Sequence, residues 1–560
     1  MTPAQIIKRF EELFNLRKSS VEPTWDDIEY YISPIRTGSF FQEKKAETEV
    51  RHERPEIFDT TAIWGLQVLA ASMHSSLTSP AIRWFRFGFK GKKLKENQVA
   101  KRWLEDCSDA VFNALQASNF NSEMSTGYQD LGGFGNTCLS LEQEDDVLFK
   151  GLDFGCVPIG EFYFEFDHKS RLSKLFRRYQ WTIVQIAEKF GEDSLPPKLK
   201  GLLEGDRDIK HDVIYCVFKR KGPQPKIGPK EIVEAEKRPI GTLYVLREGG
   251  EQLGNEGGYY EMPAFVARWE RTSGSQWGHG PGTLAIPSVR YLNSFKDTEL
   301  SAAEKAVEPS MLATERGLVS DLDLSPGGLT TVRSLEDVKP MDVHANFQVS
   351  YQTIQDERAQ IRQIFRTDDL QLKESPAMTA TEVQVRYELM QRILGSTVAR
   401  LQADLLDPLI TRAFRMMFRA GALPDVPKEL QGEDDILNIE YQGPLMRGQR
   451  ASEVAAIERL LGLLNTLGQN PAMQSAIDLI DLSMAIKEIA DRLGVPASVI
   501  RSSDEVKKLV AQREAAQRAA MAQQEAETAK TRAEAMSTAN GGQPLFDEAH
   551  RTSPFPGGGT

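Results

Sequence analysis

The stretch WGHGPGTLAIPSVRYLNSFKDTELSAAEKAVEP, residues 277–309, decides the fold that we predict. Pro287 and Ser288 are typical of a helix start and Pro309 of its end, which predicts a helix of roughly 30 Å at 1.5 Å per residue. Beyond an irregular or β segment, Ser310 to Gln348, a second helix of about 25 Å is predicted by apolar residues at helical spacing. These residues are Tyr351, Ile354, Ile361, Ile364 and Phe365. Two comparable helices around a small insertion form a helical hairpin with a head.

The chain before this hairpin mixes helices and strands. Helical spacing predicts helices over residues 3–32, with Thr24 capping the second of them, over residues 59–77 with Asp59 as N-cap, and over residues 97–117. Trp84–Phe87 is typical of a strand, and beyond Gly127 the chain becomes rich in β-branched and aromatic runs. The runs are GGFGNTCLSLEQ, CVPIGEFYFEF, DVIYCVFKR and GTLYVLREGG.

The chain after the hairpin is mostly helical. Thr379 and Glu382 form a capping box, which predicts a long helix reaching Met417 and broken or bent near Pro408. A strand is predicted over residues 436–441, and helices over residues 452–467, 471–493 and 502–536. The last helix is poor in large apolar residues, so alone it has little core to bury. The Gly- and Pro-rich tail, residues 537–560, is predicted to be disordered. The fold class is therefore α+β and predominantly helical.

Bulk composition restricts the function. The 560 residues exceed what one hydrophobic core usually organises. No apolar run of membrane-spanning length is found, and the N-terminus lacks the pattern of a signal peptide, so the expectation is a chain folded in a cytoplasm with no membrane partner. The net charge of -12 disfavours tight gripping of DNA phosphates, which needs a basic face. Any DNA contact is expected to be loose.

No motif predicts a catalytic, metal or cofactor site. The sequence has no phosphate-binding loop, HExxH or GxSxG, and its four cysteines are irregularly spaced. Four carboxylates in polar loops could hold magnesium, as nuclease sites do, but solvated faces or helix caps explain them better. These are Asp321, Asp323, Asp368 and Asp369.

Three arginines follow one side of the second hairpin helix. Arg358, Arg362 and Arg366 recur every four residues, which places their guanidinium groups along one face. They could face DNA or form ion pairs within the chain or with a neighbouring copy. Ion pairing is favoured, because the first hairpin helix supplies four acids. These are Asp297, Glu299, Glu304 and Glu308.

Several separated motifs resemble one family, the head-to-tail connecting proteins, or portals, of short-tailed bacteriophages. The first runs from Arg54-Pro-Glu-Ile-Phe-Asp-Thr-Thr-Ala through LAASMHSSLTSP to Trp84-Phe85. It is followed in family order by Phe120-Asn121 to DLGGFGNTCL, by WGHGPGTLAIPSVRYLN, by EKAVEP and by MTATEV. The resemblance extends over nearly the whole chain.

The resemblance implies a division of the chain into named parts. Residues 1–287 are similar to the wing, 288–307 and 351–366 to the two stem helices, and 308–350 to the clip between them. Residues 367–378 are similar to the tunnel loop, 379–447 to the long wing helix and its strand, 448–501 to the crown, and 502–536 to a C-terminal barrel helix. Within the tunnel loop the residues expected to face DNA are Leu370, Gln371, Lys373, Glu374 and Ser375.

The resemblance also implies partners. The chain is expected to form a dodecameric ring at one capsid vertex of the virion, through which double-stranded viral DNA passes without sequence recognition. The clip, between Glu308 and Ser350, is expected to dock the terminase large subunit and later the tail adaptor protein. Major capsid, scaffolding and internal core proteins are further expected partners, with the host cytoplasm as the place of assembly. No cofactor and no catalysis are implied.

Two alternatives compete with this reading. A packaging ATPase or DNA-processing nuclease would need a phosphate-binding loop or a metal cluster, and the sequence has no convincing example of either. A tail adaptor or another ring component would have a similar channel, but would not be expected to carry these portal motifs over such a length. Incorporation into empty proheads before DNA entry distinguishes a portal.

Overall fold

The computed structural model describes residues 1–34, 57–89, 98–143, 150–201, 208–221, 233–272, 274–323, 325, 328–341, 347–370, 394–427, 437–441 and 503–539, with a few further positions at 454, 456–460, 462, 486 and 489–490. The chain divides into two compact units, Met1–Val495 and Pro496–Thr560. Within the described residues helices and strands are mixed and helical residues outnumber strand residues. The prediction of an α+β fold that is predominantly helical is confirmed for the described residues.

The longer helices of the first unit include most of those predicted. They are α1 (Pro3–Ser20), α2 (Glu22–Tyr31), α3 (Thr61–Leu77), α4 (Gln98–Ala117), α5 (Phe120–Phe134), α6 (Ile183–Phe190), α7 (Pro281–Val307), α8 (Phe347–Ile364) and α9 (Asp407–Arg419). The predicted cap at Thr24 is wrong, because α2 already begins at Glu22, with a proline in its first turn. A proline suits that position because its missing N–H would have no intrahelical partner there.

The strands form small antiparallel sheets. They are β1 (Phe85–Phe89), β2 (Asn136–Gln143), β3 (Leu152–Cys156), β4 (Phe162–Phe166), β5 (Leu172–Thr182), β6 (Lys210–Lys219), β7 (Ile240–Leu246), β8 (Gln252–Tyr259), β9 (Ala264–Arg268), β10 (Glu270–Arg271), β11 (Gly278–His279), β12 (Met311–Ala313), β13 (Val338–Pro340) and β14 (Leu437–Tyr441). Strands β4 to β8 make a five-stranded sheet in chain order, and β2 lies between β3 and β9. β1 pairs with β14 across more than 350 residues of chain, with Phe85 opposite Tyr441.

Helix α1 covers part of the five-stranded sheet. Its apolar side chains Ile6 and Phe10 share a buried cluster with Phe176 and Val245 of β5 and β7. Arg17, at the end of α1, is fully buried and donates to the main-chain oxygens of Ile159, Gly160 and Phe162. A buried guanidinium is tolerated when its N–H groups are satisfied in this way.

Helix α5 differs from the prediction. The sequence GGFG suggests the start of a strand, yet Gly132 and Gly133 lie in the last turn of α5, and the strand begins only at Asn136. Gly135 ends the helix with φ +77, a conformation that glycine adopts without strain. A Cβ at Gly132 would lie 2.9 Å from Leu66 Cδ1, so the glycines allow α3 to pack closely on α5.

The first hairpin helix, α7, begins earlier than predicted. It starts at Pro281, not at Pro287, which lies inside the helix. A Cβ at Gly282 would lie 2.3 Å from the carbonyl oxygen of Gly133, so the first turn of α7 rests directly on the end of α5. Pro287 removes one intrahelical hydrogen bond, and burial of these first turns offsets that loss. Because this contact joins segments that are distant in sequence, a local sequence pattern cannot predict where α7 begins.

The predicted interruption of the long helix is confirmed. Residues 394–401 are helical, Gln402–Leu406 form a π-helical turn, and α9 continues from Asp407, with Pro408 in its first turn. The predicted strand is found as β14. The capping box at Thr379 and Glu382 lies outside the described residues, and so do the predicted helices at 452–467 and 471–493 apart from isolated positions.

The second unit contains α10 (Ser503–Ala539), which confirms the predicted C-terminal helix and extends it by three residues beyond Met536. From Ala511 to Arg532 every side chain is exposed. The first three residues of the predicted disordered tail, 537–539, are helical instead, and its remainder, residues 540–560, lies outside the described residues.

Candidate functional site: the helical hairpin and its anchor

Helices α7 and α8 form the predicted hairpin. At 1.5 Å per residue their 27 and 18 residues span about 40 Å and 27 Å. The half of each helix nearer the rest of the unit is buried, at Val289 and Leu292 on α7 and at Ile354 and Ile361 on α8. The other end is exposed, with 81% of Val307 accessible. The hairpin is thus held at one end and free at the other.

Asp59 anchors both hairpin helices. Its Oδ2 atom lies 2.8 Å from Arg358 of α8 and 3.2 Å from Lys296 of α7, and only 2% of its side chain is exposed. Its Oδ1 atom accepts a hydrogen bond from the Thr61 N–H at 2.9 Å. The predicted N-cap role is wrong, because Thr60 is the N-cap residue of α3 and Asp59 precedes it. The Asp59 carboxylate instead ties the start of α3 to the hairpin.

The charge on Asp59 is favoured by its surroundings. Burial raises the pKa of this carboxyl, but hydrogen bonds from Thr61 and Arg358, together with the positive charge of Arg358, outweigh burial and hold the pKa below its ordinary value. The anchor is therefore ionised at neutral pH.

Asn293 completes the anchor from α7. Its Oδ1 atom accepts from the N–H groups of Phe58 and Asp59, at 2.9 and 3.3 Å, while its Nδ2 donates to the Val289 oxygen at 2.9 Å. Lys296 also donates to the Phe58 oxygen at 3.2 Å. Sequence reasoning missed this cluster, although Phe58-Asp59 and Asn293 both fall within the quoted family motifs.

Each of the three arginines of the predicted basic face has a carboxylate of the same chain nearby. Arg358 pairs with Asp59, while Arg362 and Arg366 lie 3.9 Å from Asp368 and Asp369. The acids of α7, which the sequence suggested as partners, form no ion pair among the described residues. Whether the arginines line a channel or meet a neighbouring copy stays a prediction.

The end of α8 leads into the segment predicted as a tunnel loop. Arg366 has φ +57, and the buried Thr367 hydroxyl donates to the Arg362 oxygen at 3.1 Å. Thr367–Leu370 form one helical turn rather than a loop. Leu370 is half-buried against the core and, with Leu394, borders a small apolar pocket on α3. That it faces DNA stays a prediction. The other four, Gln371, Lys373, Glu374 and Ser375, lie outside the described residues.

The segment between the hairpin helices contains two short paired strands. β12 and β13 are antiparallel, and Leu318 pairs with Val332 further along. Asp337 holds this head together, accepting from the Thr314 hydroxyl and the Ser334 N–H, both at 3.0 Å. Leu329 and Leu335 are 87% and 90% exposed. The head therefore exposes two apolar side chains on its surface.

No reactive group distinguishes the described residues. Among them, no group of His, Cys, Asp and Glu could hold a metal ion. Burial raises the pKa of the Cys107, Cys138 and Cys216 thiols to about 12, which keeps them protonated and unreactive. No helix in the described part of the chain is long and apolar enough to cross a membrane.

These features define the class of fold: an α/β body that holds one end of a helical hairpin, with a small β head at the hairpin's other end. The family model described as bacteriophage head to tail connecting protein matches residues 3–500, and the chain belongs to that family. The family is defined by a structural role at the head-to-tail connection of the phage virion, not by a reaction. The resemblance read from the sequence motifs is thereby confirmed.

Two curated relatives are consistent with this family assignment. The chain is 29% identical to the probable portal protein of Bordetella phage BPP-1 over 541 residues, which cover 94% of each chain. It is 26% identical to the portal protein of Salmonella phage epsilon15 over 546 residues, which cover 95% of each. The chain is therefore similar to phage portal proteins over nearly its full length.

Two solved structures are more distantly similar. The neck of a native GTA particle, computed with C12 symmetry, matches with 10% identity and a TM-score of 0.31 over 70% of this chain and 89% of the other. The neck of an empty GTA particle, computed with C6 symmetry, matches with 10% identity and a TM-score of 0.35 over 76% and 94%. Scores this low support no inference about fold or assembly.

Proposed function

We propose that the chain assembles into a dodecameric ring with an axial channel at one capsid vertex. The ring serves as a conduit for genome packaging and ejection and nucleates procapsid assembly together with the major capsid and scaffolding proteins. The observation that carries the proposal is the match to the connector family over residues 3–500. The anchored hairpin supports it, because a helix pair fixed at one end by Asp59 is a rigid projection suited to lining a channel.

The clip, residues 308–350, is proposed to dock the terminase large subunit during packaging and the tail adaptor afterwards. Support comes from its position at the free end of the hairpin and from the exposed Leu329 and Leu335. Apolar side chains of this exposure mark interaction surfaces when they cluster. Internal core proteins are proposed partners on the capsid side.

The DNA itself is proposed to slide. A net charge of -12 disfavours a surface that neutralises many phosphates, so few counterions would be released and the duplex would not be held in place. Within the proposed tunnel loop, residues 367–378, Lys373 is the only basic side chain. A single cation gives a weak contact that can hinder back-slippage without stopping transport.

The ring is tested by cryo-electron microscopy of the purified chain and by incorporation into empty proheads. A closed ring with a DNA-sized channel, found in proheads before DNA entry, is the expected result. A chain that enters only filled heads would instead be a tail adaptor. Hydrolysis of ATP or DNA by the pure protein would favour the packaging ATPase or nuclease alternative.

The loop is tested by deleting residues 371–375, which spares the packed Leu370. We expect normal rings but increased loss of packaged DNA. Packaging and genome retention equal to those of the unaltered chain would contradict the proposed contact.

A further inference from the structure

The end of strand β9 carries a buried arginine whose hydrogen-bonding capacity is only partly used. Arg268 is 4% exposed, and its guanidinium carbon lies 4.0 Å from the ring centroid of Phe166. Its Nη1 atom donates to the main-chain oxygen of Gln276 at 3.2 Å. Its Nε and Nη2 atoms are buried and have no hydrogen-bond acceptor in the described part of the chain. A buried donor left unpaired carries its full desolvation cost, so an acceptor supplied by a ligand would stabilise the fold.

A carboxylate in the neighbouring helix has the opposite need. The π-helical turn Gln402–Leu406 packs against β9 and contains Asp404. The Oδ2 atom of Asp404 is buried, and none of the described residues donates a hydrogen bond to it. Asp404 raises the pKa of Arg268, but in the described structure the two groups are farther apart than the ~4 Å of an ion pair. A gap therefore separates unused donors from an unused acceptor, beside a type of helical turn that is frequent at functional sites.

Two further arginines give this gap an excess of positive charge. Arg400 lies four residues before Asp404 and donates to the main-chain oxygen of the residue that follows Arg268. Arg271 is exposed, three residues after Arg268. Burial, together with the positive charges of Arg271 and Arg400, lowers the pKa of Arg268 to about 10. Glu270 is exposed and is not among the charges that act on Arg268 or Asp404. Three cations therefore surround a single carboxylate, an arrangement that an anion would relieve.

We propose that Arg268, Arg271, Arg400 and Asp404 bind a phosphate group that still carries a proton. The unused N–H groups of Arg268 donate to phosphate oxygens, a pairing for which the guanidinium group is well suited. The unused Oδ2 atom of Asp404 accepts from the P–O–H group of inorganic phosphate or of a phosphate monoester. Sulfate and the phosphodiesters of DNA have no such proton at neutral pH, so the carboxylate repels them. Water would bridge the same atoms but leave the excess positive charge in place.

The bound phosphate links the helix that contains the π-helical turn to the base of the hairpin. Trp269 donates its N–H to the Gly135 oxygen at 2.9 Å, at the end of α5. Arg271 lies opposite Gly278, three residues before α7 begins at Pro281. A ligand bound only by the folded chain raises the stability of that chain by mass action. This inference goes beyond the proposed conduit and does not depend on a ring, because all four binding residues belong to one chain.

The test is isothermal titration calorimetry of the full chain in a phosphate-free buffer at neutral pH. Ionic strength is held constant, because salt screens exposed charges. The probes are inorganic phosphate, adenosine 5′-monophosphate and sulfate. The first two should bind, and the tighter of them identifies the source as free phosphate or a nucleotide. Sulfate should bind at least about 10-fold more weakly, because it offers Asp404 no proton.

Three variants assign the binding to these residues. Arg271→Gln removes an exposed cation, so the chain should fold normally and bind phosphate more weakly. Arg400→Gln should weaken binding by about 10-fold, with its folding checked by circular dichroism. Asp404→Asn should abolish the preference for phosphate over sulfate, because an amide can donate to an unprotonated oxygen. Arg316→Gln, at an exposed position between the hairpin helices, is the matched control and should bind like the unaltered chain.

Three results would overturn the inference. The first is no phosphate binding by the unaltered chain, which would leave the gap to water. The second is equal affinity of the unaltered chain for phosphate and sulfate. The third is phosphate binding by Arg271→Gln and Arg400→Gln as tight as that of Arg316→Gln, which would place the phosphate elsewhere. None of these results bears on the proposed ring, which is tested by its own micrographs.

Discussion

Asp59 shows how one residue links distant parts of the chain. It sits between Arg358 and Lys296, which are 299 and 237 residues away in sequence, and its side chain is 2% exposed. Removing one partner of a buried charge cluster leaves the other charges without compensation, which is costly. Asp59→Asn should therefore lower the free energy of unfolding by about 3 kcal/mol in urea denaturation.

The matched control for this change is Asp109→Asn. Asp109 pairs with Arg83, but 59% of its side chain is exposed, and exposed pairs contribute about 1 kcal/mol or less. Equal losses for the two variants would mean that Asp59 is an ordinary surface charge and not an anchor.

The same carboxylate predicts a dependence on pH. Its pKa is lower in the folded chain than in the unfolded chain, where an aspartate titrates near about 3.9. The stabilisation is then complete above the unfolded pKa and is lost as the pH falls through the folded pKa. The difference in unfolding free energy between the unaltered chain and Asp59→Asn should be constant from about pH 5 to 7 and shrink below about pH 4. A difference that grows on acidification would contradict the assigned direction.

At the scale of elements, the junction of α5 and α7 depends on backbone contact. A Cβ at Gly282 would meet the Gly133 oxygen at 2.3 Å, and a main-chain atom cannot move aside as a flexible side chain can. Gly282→Ala should destabilise the unit by about 2 kcal/mol or more through overpacking. Gly395→Ala, in a helical segment where nothing lies within 4 Å of the added Cβ, should instead stabilise by about 0.5–1 kcal/mol.

The two glycine variants are compared by their urea midpoints under the same conditions. The two substitutions are expected to change the free energy of unfolding in opposite directions, because both sites are helical but only Gly282 is crowded. A stabilising Gly282→Ala would show that α7 does not rest on α5 in this way.

Elements were predictable where local signals agreed. The helix α4 and the strands β1 and β14 combine clear periodicity with flanking breakers, and the π-helical turn before Pro408 follows from the chemistry of proline. Helix α5 could not be predicted, because Gly127, Gly132 and Gly133 lower its intrinsic propensity, and the close packing of other elements against them is not visible in the local sequence. The anchor at Asp59 depends on partners hundreds of residues away, which no short-range pattern encodes.

At the scale of the whole molecule, helix α10 and the residues after it should be dispensable for the folding of the first unit. From Ala511 to Arg532 every side chain of α10 is exposed, so this helix removes little apolar surface from water within one chain. A helix without such burial owes its stability to propensity alone or to packing with other copies. A chain truncated after residue 502 should therefore melt at the same temperature as the full chain when both are monomeric.

The truncation also separates two roles for α10. If the helix packs only between copies, the truncated chain should melt at the same temperature as a monomer but show a lower melting temperature, or weaker assembly by mass photometry, at concentrations where the full chain forms rings. If the truncated monomer melts several degrees below the full-length monomer, α10 stabilises the single chain. That result would contradict the prediction.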